Sequence, residues 1–413
     1  MFGPWIVLAL AAGCSDADFA APLAYEEQPG MTRELEGKSH LADKPRIRER
    51  ARAVMAELYG PNPKEIHVPE GAPLSADESG VVGGLLGNFV RTAEGPRKLP
   101  HAGGFALYRR HCLHCHGLSG AGNGPTAPFV FPPPRDFRRG LFKFTSTPTG
   151  ARPTRDDLRR SINDGLEGTS MPAFKALLTE EEVEQVVDYV TFLSLRGETE
   201  LAMIEEGFLG EDEDPDALED DIVQDLLSVV FGKWEDAEDR VVDPPTPRTP
   251  PSPESVLRGR ELFLGRTKEK LECAGCHGPK GRGDGQSFVP PDVFNRVVFR
   301  GDPSKMDERV ALLDEPTREL WKQKLDEWGN PLRPANLTVP VYKGGRRPID
   351  LYWRIAKGIT GAQMPAHYPG IDHDQIWDLV NFVLALPYQP DLLDGPGVAA
   401  EPEAVAEAEA ARR

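Results

Sequence analysis

Residues 111–120 read HCLHCHGLSG, two cysteines and three histidines in ten positions. Ligands this dense suit half of a zinc site, a redox dithiol, or a point where a cofactor is bonded to the chain. The other cysteines decide between them. The sequence has five: Cys14, the pair Cys112 and Cys115, and the pair Cys273 and Cys276. Both pairs are C-x-x-C, and each is followed at once by a histidine, His116 or His277. No cysteine is left over for a structural disulfide or a catalytic thiol.

C-x-x-C-H is the attachment signature of c-type haem, in which each thiol adds across a vinyl group and the adjacent histidine reaches the iron. Zinc is the sober rival, because two C-x-x-C pairs can form one four-cysteine site. Nothing in such a site requires a histidine after both pairs. A redox dithiol would need a strand–helix context that is missing here. Two covalently bound haem c groups are therefore the expected cofactors.

The chain also repeats itself. The run CHGLSGAGNG places glycines at 117, 120, 122 and 124, and CHGPKGRGDG places them at 278, 281, 283 and 285. DLRRSINDGLEGTSMPAF (157–174) aligns without gaps on DLYWRIAKGITGAQMPAH (350–367). Met171 pairs with Met364, each directly before proline. Beyond these, Val183, Val186, Val187 and Val190 form one helical face, and Ile376, Leu379, Val380 and Val383 the equivalent one. Thr179 with Glu182, and Asp372 with Gln375, are helix start signals. Ahead of the haem motifs, GFALY (104–108) matches GRELF (259–263). A glycine there admits a second helix at close range, with Tyr189 or Phe382 as the partner.

With these motifs in this order, the chain resembles two class I cytochrome c domains in tandem. It is similar to the cytochrome domains of haem-copper oxidase subunits and to planctomycete-type dihaem cytochromes. The resemblance covers residues 101–197 and 255–390, and implies an all-α fold around each haem. It implies His116 and His277 as proximal iron ligands and Met171 and Met364 as distal ones. The second module departs in length, with 87 positions from His277 to Met364 against 55 from His116 to Met171. The excess lies mostly in an insert at about 286–333, expected to cover a haem edge or dock a partner. Met31, Met55, Met203 and Met306 read as packing, His111 and His114 as surface residues. His367 is the one rival for the second iron. Arg135, Arg138, Arg139 and Lys143 either hold haem carboxylates or are ordinary solvated charge.

The net charge of −18 is uneven. Residues 198–243 hold 18 acidic and 2 basic side chains, whereas 101–197 balances to +2 and 255–390 to +3. Residues 198–254 thus read as an acidic linker, partly helical. Within it Ile222/Val223, Leu226/Leu227, Val230/Phe231 and Trp234 form an apolar face expected to lie between the modules, and VVDPPTPRTPPSPES forms a stiff spacer. The acidity is either a solvated spacer or a strip that steers a cationic partner. No basic stripe interleaved with aromatics points to nucleic acid.

MFGPWIVLALAAGC (1–14) is too short to span a bilayer and reads as an export signal of lipoprotein type, with Cys14 acylated. Residues 15–100 then form a tether with one helix, KPRIRERARAVMAELYG, and 391–413 a low-complexity tail. The whole points to an exported dihaem electron carrier, periplasmic and lipid-anchored, with no catalytic residues. Its expected partners are small cytochromes, cupredoxins or a membrane oxidoreductase, with no small-molecule substrate. The competing class is a dihaem redox enzyme, peroxidase-like or thiosulfate-oxidising, which needs an open iron position or a cysteine ligand.

Overall fold

The computed structural model describes residues 25, 45–87, 89–93, 95–98, 103–209 and 218–394. Cys14 and Met31, the acidic run at 211–214 and the tail from 395 lie outside the described residues.

Helix α1 (Pro45–Tyr59) buries Ile47, Ala51, Val54, Met55 and Tyr59 on one side, the face its helical spacing dictates. A small sheet follows, in which β1 (Ile66–His67) runs parallel to β2 (Phe89–Thr92), and β2 pairs antiparallel with β3 (Gly95–Lys98). These strands are too short for alternation to show in the sequence, which is why 60–98 reads as loop. Helices α2 (Gly103–His111), α3 (Leu113–His116), α4 (Arg155–Asp164) and α5 (Glu180–Leu209) build the first module. Thr154 and Asp157 cap α4 reciprocally, and Thr179 with Glu182 does the same for α5.

Helix α5 does not stop at 197 but runs on for a total of 30 residues. Helix α6 (Asp220–Glu235) folds back on it, burying Val223, Leu227, Val230, Phe231 and Trp234 in the first module's core. The apolar face expected between the modules thus closes on the extended α5.

The proline-rich stretch is strapped to the second module. Trp353 Nε1 donates to the Val242 carbonyl at 2.8 Å, and Asn381 Nδ2 to that of Thr249 at 3.0 Å. Helices α7 (Pro253–Phe263) and α8 (Cys273–His277) follow. The insert then forms α9 (Pro291–Phe299), α10 (Met306–Ala311) and α11 (Glu315–Gln323) around a core of Val289, Phe294, Val297 and Trp321. Helices α12 (Pro348–Lys357) and α13 (His373–Ala385) complete the module.

The same helix crossing is built twice. A Cβ placed on Gly104 of α2 would overlap the Gln185 carbonyl and Tyr189 of α5; one on Gly259 of α7 would overlap the Asp378 carbonyl and Phe382 of α13. Only glycine lets the backbones meet this closely. Each crossing fixes the helix that leads into the haem motif against the module's last helix.

Candidate functional site

Each haem motif is a single turn of helix held by one backbone scheme. Gly122 N–H donates to the His116 carbonyl at 2.9 Å and Gly283 N–H to that of His277 at 2.8 Å. The returning strand of chain is pinned alike, Phe137 N–H to Gly120 O and Leu337 N–H to Gly281 O, both at 2.7 Å. That places the Arg135 carbonyl 3.1 Å from His116 Nδ1, and the Ala335 carbonyl 3.0 Å from His277 Nδ1. A carbonyl only accepts, so Nδ1 carries the proton and Nε2 keeps its lone pair. Burial lowers the His116 pKa to about 4 and also lowers that of His277, so both rings are neutral at pH 7. Burial also pushes the Cys112 thiol up to about 12 and Cys273 up to about 11.

The Met-Pro loops are equally duplicated. Leu166 N–H donates to Met171 O and Ile359 N–H to Met364 O, both at 3.1 Å. Gly165 and Gly358, at φ +67° and +77°, turn the chain left-handed so that each loop can fold over its methionine backbone.

Cys112, Cys115, His116 and Met171 of the first module and Cys273, Cys276, His277 and Met364 of the second line one cavity. The cavity measures 1190 Å³, more than the roughly 300–1,000 Å³ of a pocket for one small ligand. Its lining is mostly apolar, with Leu158, Ile162 and Val190 in the first module matched by Leu351, Ile355 and Val383 in the second. A paired thiol set, a histidine with a free Nε2 and a methionine in apolar surroundings are the donors a covalently attached haem requires. The residues present fit two such groups.

The insert walls this cavity. Phe131 of the first module meets Phe294 and Phe299 at ring distances of 5.6 and 5.4 Å. Lys143 pairs with the buried Asp326 at 2.8 Å, and the Arg135 guanidinium stacks 3.6 Å above Trp328. The four candidate carboxylate holders therefore separate. Arg135 and Lys143 line the cavity, Arg138 is buried against Asp136 at 2.8 Å, and Arg139 donates to the Glu327 carbonyl at 3.0 Å. His114 is exposed, whereas His111 packs edge-on against Phe174, 6.0 Å between rings. His367 also lines the cavity, where the first module has Phe174. Met55 and Met203 are buried and Met306 is partly buried in the insert's core, as packing residues should be. Trp328, Asp326 and Arg354 were not singled out by sequence. Asp326 and Trp328 lie in the insert, which has no counterpart in the first module, and Arg354 aligns with Ser161, so the repeat gives no signal for any of them.

Two histidine–methionine pockets, each with its cysteine pair, define a dihaem protein of c type. Comparison with known proteins makes the assignment specific. Residues 100–190 match the family model of cytochrome c oxidase, cbb3-type, subunit III, and residues 256–387 match that of cytochrome c. The chain is a tandem of two cytochrome c domains and carries two covalently bound haem c groups. It is also similar to a chain of the Kuenenia stuttgartiensis reducing HAO-like protein complex Kustc0457/Kustc0458, at 26% identity and a TM-score of 0.45, covering 68% of this chain and 94% of that one. No curated protein matches.

Proposed function

We propose that this protein relays single electrons between redox partners on the outer side of a bacterial membrane and catalyses no reaction of its own. The observation that carries the reading is the pair of His–Met pockets opening on one cavity. Bound haem supplies the one-electron iron couple. The chain's own part is to hold and tune it. Cys112, Cys115, Cys273 and Cys276 would form the thioether links, and His116 and His277 would ligate the irons through Nε2. Met171 and Met364 would hold the irons together with these histidines, and a methionine thioether favours reduced iron and raises the potential. The apolar walls keep water away. In this reading the modules are 101–197 and 255–390, and small cytochromes, cupredoxins or a membrane oxidoreductase donate and accept the electrons.

The covalent links are tested by acid–acetone extraction. Two haems per chain should stay with the denatured protein, and the double change Cys273→Ala with Cys276→Ala should leave one. Haem that is extracted from the unaltered protein would remove the attachment assignment.

Cytochrome c domains act outside the cytoplasm, which agrees with the export signal read in residues 1–14. Among the described residues no helix is long and apolar enough to cross a membrane. We assign anchoring to acylation of Cys14, since two acyl signals hold a chain stably at a bilayer. Cys14→Ser should release a haem-loaded protein into the soluble periplasmic fraction. A wild-type protein already soluble after export would refute the anchor.

A further inference from the structure

The shared cavity has a lopsided charge. Among the charged residues lining it, Asp157 is closed off by the Ser146 amide and Arg160, while Arg110 and Glu272 are exposed. What remains is Arg135, Lys143, Arg333, Lys343 and Arg354, five cations, with Asp326 as the one carboxylate. Asp326 is taken by Lys143 at 2.8 Å. Among the described residues none of the other four makes an ion pair. Arg135 has the Trp328 face, Arg333 donates to Asn295 Oδ1 at 3.0 Å, and Arg354 donates to the Asp350 carbonyl at 2.9 Å and to those of Gly344 and Gly345. Lys143 and Arg333 both repel the Lys343 ammonium.

Arg135, Lys143, Arg333 and Arg354 are half-buried and Lys343 stands exposed at their edge; clustered cations partly withdrawn from water are costly unless an anion meets them. The cluster is also drawn from both modules. Arg135 and Lys143 of the first reach Trp328 and Asp326 of the second. Lys343 and Arg354 of the second lie 5.7 Å from the Phe131 ring and 5.8 Å from the Phe144 ring of the first.

Resting on the dihaem reading above, we propose that these five cations form one anion seat for the haem carboxylates of both modules. Each module then supplies positive charge to the other's haem as well as to its own. These are positioning residues, and the insert that brings Asp326 and Trp328 into the interface is what joins the two halves of the seat.

The test is a potentiometric titration of the full-length, haem-loaded chain, with haem per chain counted on the same sample. Lys143→Gln and Lys343→Gln each remove a positive charge, which disfavours the electron. Each should therefore lower both one-electron steps, by about threefold or more in the reduction equilibrium constant, where tenfold corresponds to about 59 mV. Lys343→Arg should restore the wild-type pair of potentials, showing that charge rather than packing is read. Two haems per chain with only one step moved would overturn the sharing; neither step moved would overturn the seat. A chain without its two haems would instead overturn the dihaem reading. Mobile anions are separated by adding phosphate: potentials indifferent to it support the haem carboxylates, and a phosphate-dependent shift in the wild type refutes them.

Discussion

Met171→Ala should open one iron to carbon monoxide, and Met364→Ala the other, from no binding in the wild type to one equivalent in each variant. Each change should also remove about half of the weak sulfur-to-iron band at the red end of the oxidised spectrum. The expectation follows from how the loops are fixed. The Met171 and Met364 carbonyls are tied to Leu166 and Ile359 N–H, so shortening the side chain does not bring a substitute donor forward. In the first module the next cavity-lining side chains are Pro172 and Phe174, which cannot ligate. In the second they are Pro365 and His367, the latter with its backbone N–H bonded to the Ile355 carbonyl at 3.1 Å. His367→Ala should therefore leave the band intact. Carbon monoxide binding in His367→Ala, with Met364→Ala leaving both the band and the closed iron unchanged, would reassign the second iron. Carbon monoxide binding by the unaltered protein, or rapid peroxide reduction, would favour the enzymatic class, which needs an open position.

Much of this site is legible in the sequence because it is local and written twice. The C-x-x-C-H turns, the glycines after them and the Met-Pro loops use hydrogen bonds between nearby residues, and the repeat exposes the shared pattern. The 32-residue difference between the modules can also be located. Phe137 and Leu337 occupy the same place, so 39 extra positions fall before them and 7 fewer after. What could not be read is where the extra chain goes. Phe131 on Phe294, Arg135 on Trp328 and Lys143 with Asp326 join residues more than 150 positions apart, and no periodicity or spacing encodes such pairings. For the same reason α6 has a legible apolar face but no legible destination, and Arg354 aligns with Ser161 rather than with another cation.

Glu198 shows how a count of charges can mislead about a single one, and its replacement should be the most destabilising of the acidic segment. It opens the run of 18 acidic residues read as linker, yet it lies on the continued α5 and is buried, only 4% exposed. Arg152 Nε donates to its Oε2 at 2.7 Å, with the guanidinium Nη2 on the same oxygen, and Trp234 Nε1 donates to Oε1 at 2.7 Å. The triad ties α5 to α6 and to the loop before α4. Burial raises the Glu198 pKa while Arg152 pulls it back, which is the balance of a desolvated but partnered carboxylate. Glu198→Ala would strand the Arg152 charge and leave the Trp234 N–H without an acceptor, a loss of about 3–5 kcal/mol. Exposed acids of the same run, such as Glu235 or Asp239, should cost no more than about 0.5 kcal/mol. Pairing Glu198→Met with Arg152→Met removes both charges and should recover most of the loss, because an apolar pair of similar volume can replace a buried ion pair at little cost. Denaturant unfolding of the wild type, Glu198→Met, Arg152→Met and the double variant closes the cycle. A Glu198→Ala protein within about 1 kcal/mol of wild type would show that the carboxylate behaves as the solvated charge its neighbours suggest.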